Sequence, residues 1–250
     1  MTETAKPLVY LFLGTAGSGR RALARDLAIS GLTEGDRAAF LLPAAEPEVE
    51  ADAKLPDAAR WRWTEHGTIN ADLPEGATHV FFINDGRMNP VDQVEALKPW
   101  IEAHGAELGR VICVVDCRLA AANPGLLAWY DACVHFSDVV LLNRREEVEN
   151  KWLSEFQRRY ADQFFPCLFE LVKKDRVKNA LVVLDPVARR ISQYFEAEPE
   201  WAFESDDDED AAEEEEVELN AVEDPYLERR AGGRRVKEIP DITAFLPSAE

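Results

Sequence analysis

A chain of 250 residues with 46% hydrophobic side chains is long enough for one sizeable core and an appendage, and too short for two full domains. Its formal charge of −20 is concentrated: residues 196–224 hold 16 Asp and Glu with no Lys or Arg, whereas residues 1–195 carry 23 basic and 28 acidic side chains. A nearly neutral body without a basic patch argues against nucleic acid, and no apolar run reaches the roughly 18 residues of a membrane span. The four cysteines form no CxxC pair and lie on or beside apolar segments, which favours reduced, buried thiols over a disulfide framework or a zinc site. The short apolar run at the N-terminus has acidic flanks and reads as a strand, not as a secretory signal, so a soluble, cytoplasmic protein is expected.

In chain order, strands are predicted near 8–13, 37–42, 79–83, 110–115, 138–142 and 167–171, with helices between most of them. Such alternation implies a parallel sheet covered on both faces. The first helix, Arg20 to Ser30, places Leu23, Leu27 and Ile29 inward and stops at Gly31. Residues 43–59, with three prolines and little apolar content, read as an exposed loop, and Trp61 and Trp63 alternate as on a half-buried strand. A helix follows Pro90 and ends in a glycine, with Pro99 as a point where it can kink. Asn123 caps another with Pro124 at its first position, and a third keeps helical spacing through Trp152, Phe156 and Tyr160. Asp185 and Pro186 open a last helix over residues 186–198. The acidic run has too little apolar surface to offset its ordering entropy. Three units result: residues 1–195 as a P-loop NTPase-like α/β domain, 196–224 as an acidic disordered linker, and 225–250 as a basic and apolar segment that docks on the body or serves as a peptide for a partner, with a frayed terminus as the alternative.

The stretch LVYLFLGTAGSGRR, residues 8–21, carries the chemistry: a buried-strand signature that enters a glycine-rich turn. The P-loop pattern asks for Gly, four residues, Gly, Lys and then Ser or Thr; here Gly14 and Gly19 keep the frame, but Arg20 and Arg21 follow. Gly14, Gly17 and Gly19 permit the left-handed backbone that lets N–H groups converge on an anion at a helix N-terminus. Arg20 keeps the lysine's charge, whereas Arg21 cannot ligate a metal cation, which leaves magnesium-assisted phosphoryl transfer without its ligand. A tight packing turn with no ligand is the alternative.

Three further segments follow in order: a strand running into Gly86 and Pro90, a strand ending in Val114, Val115 and Asp116, and residues 138–143 ending in Asn143. Over residues 8 to about 170, this order resembles the CobW-like branch of the metal-linked P-loop GTPases, relatives of the HypB and UreG nickel chaperones, in a degenerate form. The resemblance implies a nucleotide site made of Gly14, Thr15, Ala16, Gly17, Ser18, Gly19, Arg20 and Arg21, with Asn143, Arg144 and Glu146 at the base and GTP or GDP as ligand. Asp85 and Asp116, at strand ends, are the candidates for catalytic carboxylates, with strand-end turn residues as the alternative. Asn143 and Glu146 equally fit a helix-capping pair. The departures strike the chemistry: Ile83 stands where the family has a glutamate, and no cysteine lies between 43 and 78 for its metal motif. No metal site is expected, and His66, His79, His104 and His135 show no ligand spacing.

These residues imply a nucleotide-binding pseudo-GTPase acting as a sensor, scaffold or metal-homeostasis accessory, with a protein partner engaged through the C-terminal tail. The alternatives are an active GTPase or phosphotransferase that uses Arg20 in place of the lysine, and an interaction module that binds no nucleotide.

Overall fold

In a computed structural model, which describes residues 5–196 and 224–246, the chain builds one eight-stranded sheet. Its elements in chain order are β1 (Leu8–Gly14), α1 (Arg20–Gly31), β2 (Ala38–Pro43), β3 (Ala58–Trp63), β4 (Ile69–Asn70), β5 (His79–Ile83), α2 (Pro90–Ala103), β6 (Glu107–Asp116), α3 (Cys117–Ala122), α4 (Leu127–His135), β7 (Val139–Asn143), α5 (Asn150–Ala161), β8 (Leu168–Leu171) and α6 (Ala180–Leu184). The strand order is β4-β3-β2-β5-β1-β6-β7-β8, parallel throughout except for the short β3–β4 pair. From β1 the chain winds first toward β2 and β3, and later the other way through β6, β7 and β8. The carboxyl end of β1 therefore lies at the reversal point where α/β sheets open a ligand crevice.

Strand alternation divides the core into two layers. Val9, Leu11 and Leu13 face one cluster with Val94, Trp100, Trp129 and Phe156, while Tyr10 and Phe12 face the other with Leu23, Leu27, Phe81 and Val183. Both faces are covered, so the strands read as continuous apolar runs, as expected. All six predicted strands are present, and β6 extends three residues earlier than predicted, from Glu107.

Four expectations give way to tertiary contacts. Ile29 points to solvent at 67% exposure, since α1 buries only Leu23, Ala24 and Leu27 on its apolar stripe. Residues 43–59 do not simply loop through solvent: Glu50–Lys54 form a 3₁₀ turn, β3 begins at Ala58, and Glu46 and Leu55 are buried. Asn123 caps no helix with its side chain; its Nδ2 donates to Leu119 O at 2.9 Å, and Pro124–Leu126 form a 3₁₀ turn before α4.

The fourth is the helix expected after Pro186, which is absent from the described residues 186–196; the nearest helix, α6, ends just before it. The carbonyl of Val187, which a helix would bond to Ile191 N–H, accepts instead from Arg110 Nε at 3.1 Å. Arg189 N–H donates to Asp138 Oδ1 at 2.6 Å, and Arg190 Nη1 reaches both Asp138 oxygens at 3.0 and 2.9 Å. Partners on the buried sheet margin override the local capping signal. Arg110 Nη1 and Tyr10 Oη, donating to Val182 O and Leu184 O at 2.8 Å each, take two of the carbonyls that the end of α6 leaves unpaired.

The described part of the C-terminal segment lies on the body. Asp224 Oδ2 pairs with His135 Nε2 at 2.8 Å, Arg235 reaches Asp92 and Glu95 of α2 at 2.6 and 2.5 Å, and Tyr226 and Ile242 are each 2% exposed. The predicted acidic linker lies outside the described residues, apart from its two ends.

Candidate functional site

The loop after β1 folds as a P-loop-type turn for reasons specific to its glycines. Gly19 has φ 95°, and a Cβ there would sit 2.6 Å from Asn143 Nδ2, so a side chain is excluded both by conformation and by space. Ser18 N donates to Thr15 O at 3.1 Å, and the first i→i−4 bond of α1 is Leu23 N to Gly19 O at 3.0 Å. The amides of Arg20, Arg21 and Ala22 precede that bond and have no intrahelical partner. The amide of Ala16 is used otherwise: it donates to Gly86 O at 3.0 Å, so the turn after β5 closes one position of the cradle. A Cβ on Gly86 would lie 2.2 Å from Ala16 N, and only glycine permits this approach.

Arg20 is 3% exposed. Its Nη1 donates to the backbone and side-chain oxygens of Asn84, and its Nη2 lies 2.5 Å from Glu46 Oε1. The same Glu46 oxygen accepts Gly86 N–H at 2.8 Å; the other accepts Arg21 Nη2 at 3.1 Å. Asp52 Oδ2 then ties Arg21 and Arg60 together at 2.7 and 2.8 Å. Burial by itself would push the Glu46 carboxyl up, but Arg20, the Gly86 amide and Arg21 outweigh it and hold it below the usual carboxylate range. Sequence reasoning missed Glu46. The available signal was its place just past the carboxyl end of β2, near the sheet's crevice.

Over the loop opens a cavity of about 390 Å³, lined by Ala16, Gly17, Gly19, Arg20, Arg21 and Ala22, and also by Glu46, Arg87, Arg144 and the apolar side chains of Pro47, Val49 and Leu246. Among the described residues Glu46 is the one acid in this lining, and no hydroxyl side chain joins it. Leu246 comes from the docked C-terminal segment.

The structure brings together part of the expected nucleotide set. Gly14, Thr15 and Ser18 lie beneath the loop, with Thr15 Oγ1 3.4 Å from Tyr130 Oη and Ser18 Oγ buried without a partner. Asn143 ends β7 and holds the loop, Nδ2 donating to Ser18 O at 2.9 Å. Arg144, at φ 52°, reaches from there to the cavity, whereas Glu146 lines a separate notch of about 170 Å³ with Arg118, Arg144 and Glu147. The capping-pair alternative for Asn143 and Glu146 does not hold, since α5 begins at Asn150.

The two candidate carboxylates part ways. Asp116 caps α3, accepting Leu119 N–H at 3.0 Å, with Arg144 Nε 3.6 Å away. Asp85 is 3% exposed and accepts Arg87 N–H at 3.0 Å; burial pushes its carboxyl above the usual range, only partly offset by that bond, and the Glu46 charge adds to the rise. Neither lines the cavity over the loop. The four cysteines are free and buried, and burial pushes the Cys117 and Cys167 thiols up to about 12. Among the described residues no group of three or more His, Cys, Asp and Glu is placed to hold a metal ion, and no helix is long and apolar enough to cross a membrane.

No protein-family model matches the chain, and no curated protein matches it. Among solved structures, a zinc-bound triple mutant of the YjiA GTPase aligns at 14% identity over 72% of this chain and 61% of that one, with a TM-score of 0.41. A LAO/AO transport system kinase aligns at 12% identity over 68% of this chain and 55% of its own, again with a TM-score of 0.41. Zinc-bound YjiA GTPase from E. coli aligns at 13% identity over 74% and 67%, with a TM-score of 0.39. The chain thus spans about three fifths of the first of these and little over half of the second.

Proposed function

We propose that this chain is a CobW-like pseudo-GTPase: a cytoplasmic P-loop protein that holds the phosphates of a purine nucleotide, GTP or GDP, without hydrolysing it, and that serves as a sensor or scaffold. The supporting observation is the lining of the cavity over the loop. Beside the Arg20–Glu46–Arg21 cluster, Arg144 and the first-turn amides of α1, which lack intrahelical partners, offer donors to an anion. Its volume of about 390 Å³ lies within the usual range for small-ligand sites.

Magnesium does not fit that lining. A hard divalent cation needs oxygen ligands, and the single carboxylate, Glu46, is already bonded to two guanidinium groups and an amide. No step through a metal follows. The arginines bind and orient phosphate, and nothing in the cavity can order an attacking water by way of a cation.

Calorimetry of GTP, GDP, ATP and ADP against the full chain tests this reading. Guanine-nucleotide binding of equal strength with and without magnesium, and no phosphate release, is the expected result. Magnesium-dependent phosphate release that disappears in Asp85→Ala or Asp116→Ala would overturn it in favour of an active enzyme. A second reading, an interaction module without nucleotide, draws support from the Ala16–Gly86 bond, which uses one amide of the cradle. Absence of binding at millimolar nucleotide would favour it.

The protein partner belongs with the acidic run 196–224, because the described residues after it use Arg229 and Arg235 on Glu95 and Asp92 of this same chain. Its partner would present a basic surface. If replacing that run with a neutral linker of equal length left partner capture from cell extract unchanged, this assignment would be wrong.

A further inference from the structure

The phosphate cradle already contains an anion of its own. Arg20 stands at the position where a P-loop lysine reaches the β and γ phosphates, so its guanidinium marks where the far end of a phosphate chain would lie. There the partner is a carboxylate: Glu46 Oε1 takes Arg20 Nη2 at 2.5 Å and Gly86 N–H at 2.8 Å, and Oε2 takes Arg21 Nη2 at 3.1 Å. Two guanidinium groups and a backbone amide converging on one anion are the donors a terminal phosphoryl group requires.

Glu46 is also fixed in place. Its carbonyl and that of Pro43 accept from Arg60 Nη1 at 3.3 and 3.1 Å, and Asp52 braces both Arg21 and Arg60. Its side chain is 7% exposed, so the carboxylate sits inside the donor set and not at its edge. The donors not bonded to Glu46 lie nearer the start of α1: the first-turn amides, with Arg144 across the cavity.

Resting on the nucleotide reading, we infer that Glu46 occupies the place of the third phosphoryl group, and that the site takes a nucleoside diphosphate and rejects the triphosphate. A γ-phosphate would have to displace the carboxylate from three donors or lie against it, and like charges brought together discriminate by well over tenfold. Glu46 is thus a specificity-determining residue contributed by the chain itself.

The test compares GDP with GTP, and pyrophosphate with inorganic tripolyphosphate, by calorimetry on the full chain and on Glu46→Ala and Glu46→Gln. The wild-type chain should bind the diphosphate at least about tenfold more tightly, a gap of about 1.4 kcal/mol. In Glu46→Ala the ratio should fall to about one or invert. In Glu46→Gln, which keeps the shape and removes the charge, it should fall part of the way. If GTP binds the wild-type chain as tightly as GDP, or the ratio is the same in all three proteins, this inference is overturned while the nucleotide site stands. If none of the three binds either nucleotide or either polyphosphate, the site reading fails and takes the inference with it. Glu46→Gln, whose amide oxygen still accepts from Arg20, keeps the test open should Glu46→Ala fold poorly.

Discussion

Two buried arginines, Arg20 and Arg190, each meet a carboxylate at the margin of the sheet, Glu46 at its carboxyl end and Asp138 at its amino end. Asp138 has no exposed surface, and its oxygens are saturated by Val111 N–H at 2.7 Å, Arg189 N–H at 2.6 Å and the Arg190 guanidinium. Glu46 has as many donors but borders a cavity of about 390 Å³, and the amides of the first turn of α1 lie close by without intrahelical partners. The same ion-pair chemistry makes a closed structural clamp in one place and a pair that borders open space in the other. Space beside the pair, and polar groups left over, make the difference.

Asp138→Ala gives the largest effect expected from breaking this comparison. It strips two backbone amides and a buried guanidinium of their acceptor, and a loss of about 3–5 kcal/mol in urea denaturation follows. A loss under about 1 kcal/mol would mean that water replaces the carboxylate there, and the contrast with Glu46 would vanish.

Gly86→Ala comes next. The added methyl meets the backbone of Ala16 and Thr15 at 2.2 and 2.5 Å, which no side-chain rotation relieves, so the two loops must separate at a cost of about 2–3 kcal/mol. The Ala16 amide should then exchange with solvent faster, which amide hydrogen exchange would read. An unchanged rate would show that the Gly86 carbonyl does not close the cradle.

Glu46→Ala should cost less, about 1–2 kcal/mol, because Asn84 still takes Arg20 Nη1 and solvent can enter from the cavity. Millimolar inorganic phosphate should recover part of that loss in Glu46→Ala and none of it in Asp138→Ala, read as the shift in thermal midpoint. Equal recovery in both proteins would mean a general salt effect and no anion site.

How far these features were legible in the sequence follows from what sets them. The six strands and the helix from Arg20 were readable because continuous apolar runs and helical spacing report burial locally. The glycines at 14, 17 and 19 were readable because backbone conformation restricts residue type. Glu46 was not: in a loop with three prolines, its burial comes from Arg20 and Arg21, 26 and 25 residues away, and no periodicity encodes that pairing. For the same reason Asp185 and Pro186 gave a false helix start, since the acceptor for Arg189 and Arg190 is Asp138, just before β7 and about 50 residues earlier in the chain. Arg21 was legible as a departure from the Ser or Thr of the P-loop pattern, but its pairing with Glu46 and Asp52 required the fold.

The smallest effect is the most discriminating, because Asp85 and Glu46 are close enough to interact and titrate with opposite consequences. Asp85 is buried, and its carboxyl lies above the usual range in the native protein, so folding holds its proton more tightly than the unfolded chain does. Its contribution is therefore most favourable below about pH 4 and falls as pH rises through the raised native value. Glu46, held below the usual range by Arg20, the Gly86 amide and Arg21, contributes stability above about pH 4 that is lost as pH falls through its native value. Asp85→Asn keeps an oxygen for Arg87 N–H and removes the costly charge, so it should stabilise the chain at pH 7 by less than about 1 kcal/mol and by nothing at pH 3.5. Glu46→Gln should destabilise at pH 7 and converge on wild type at the acid end. Urea titrations of the three proteins between those limits give two difference curves of opposite sign. If Asp85→Asn is destabilising at neutral pH, the ionised Asp85 carries a favourable contact, and its place as a silent neighbour of the cradle would pass to a working carboxylate.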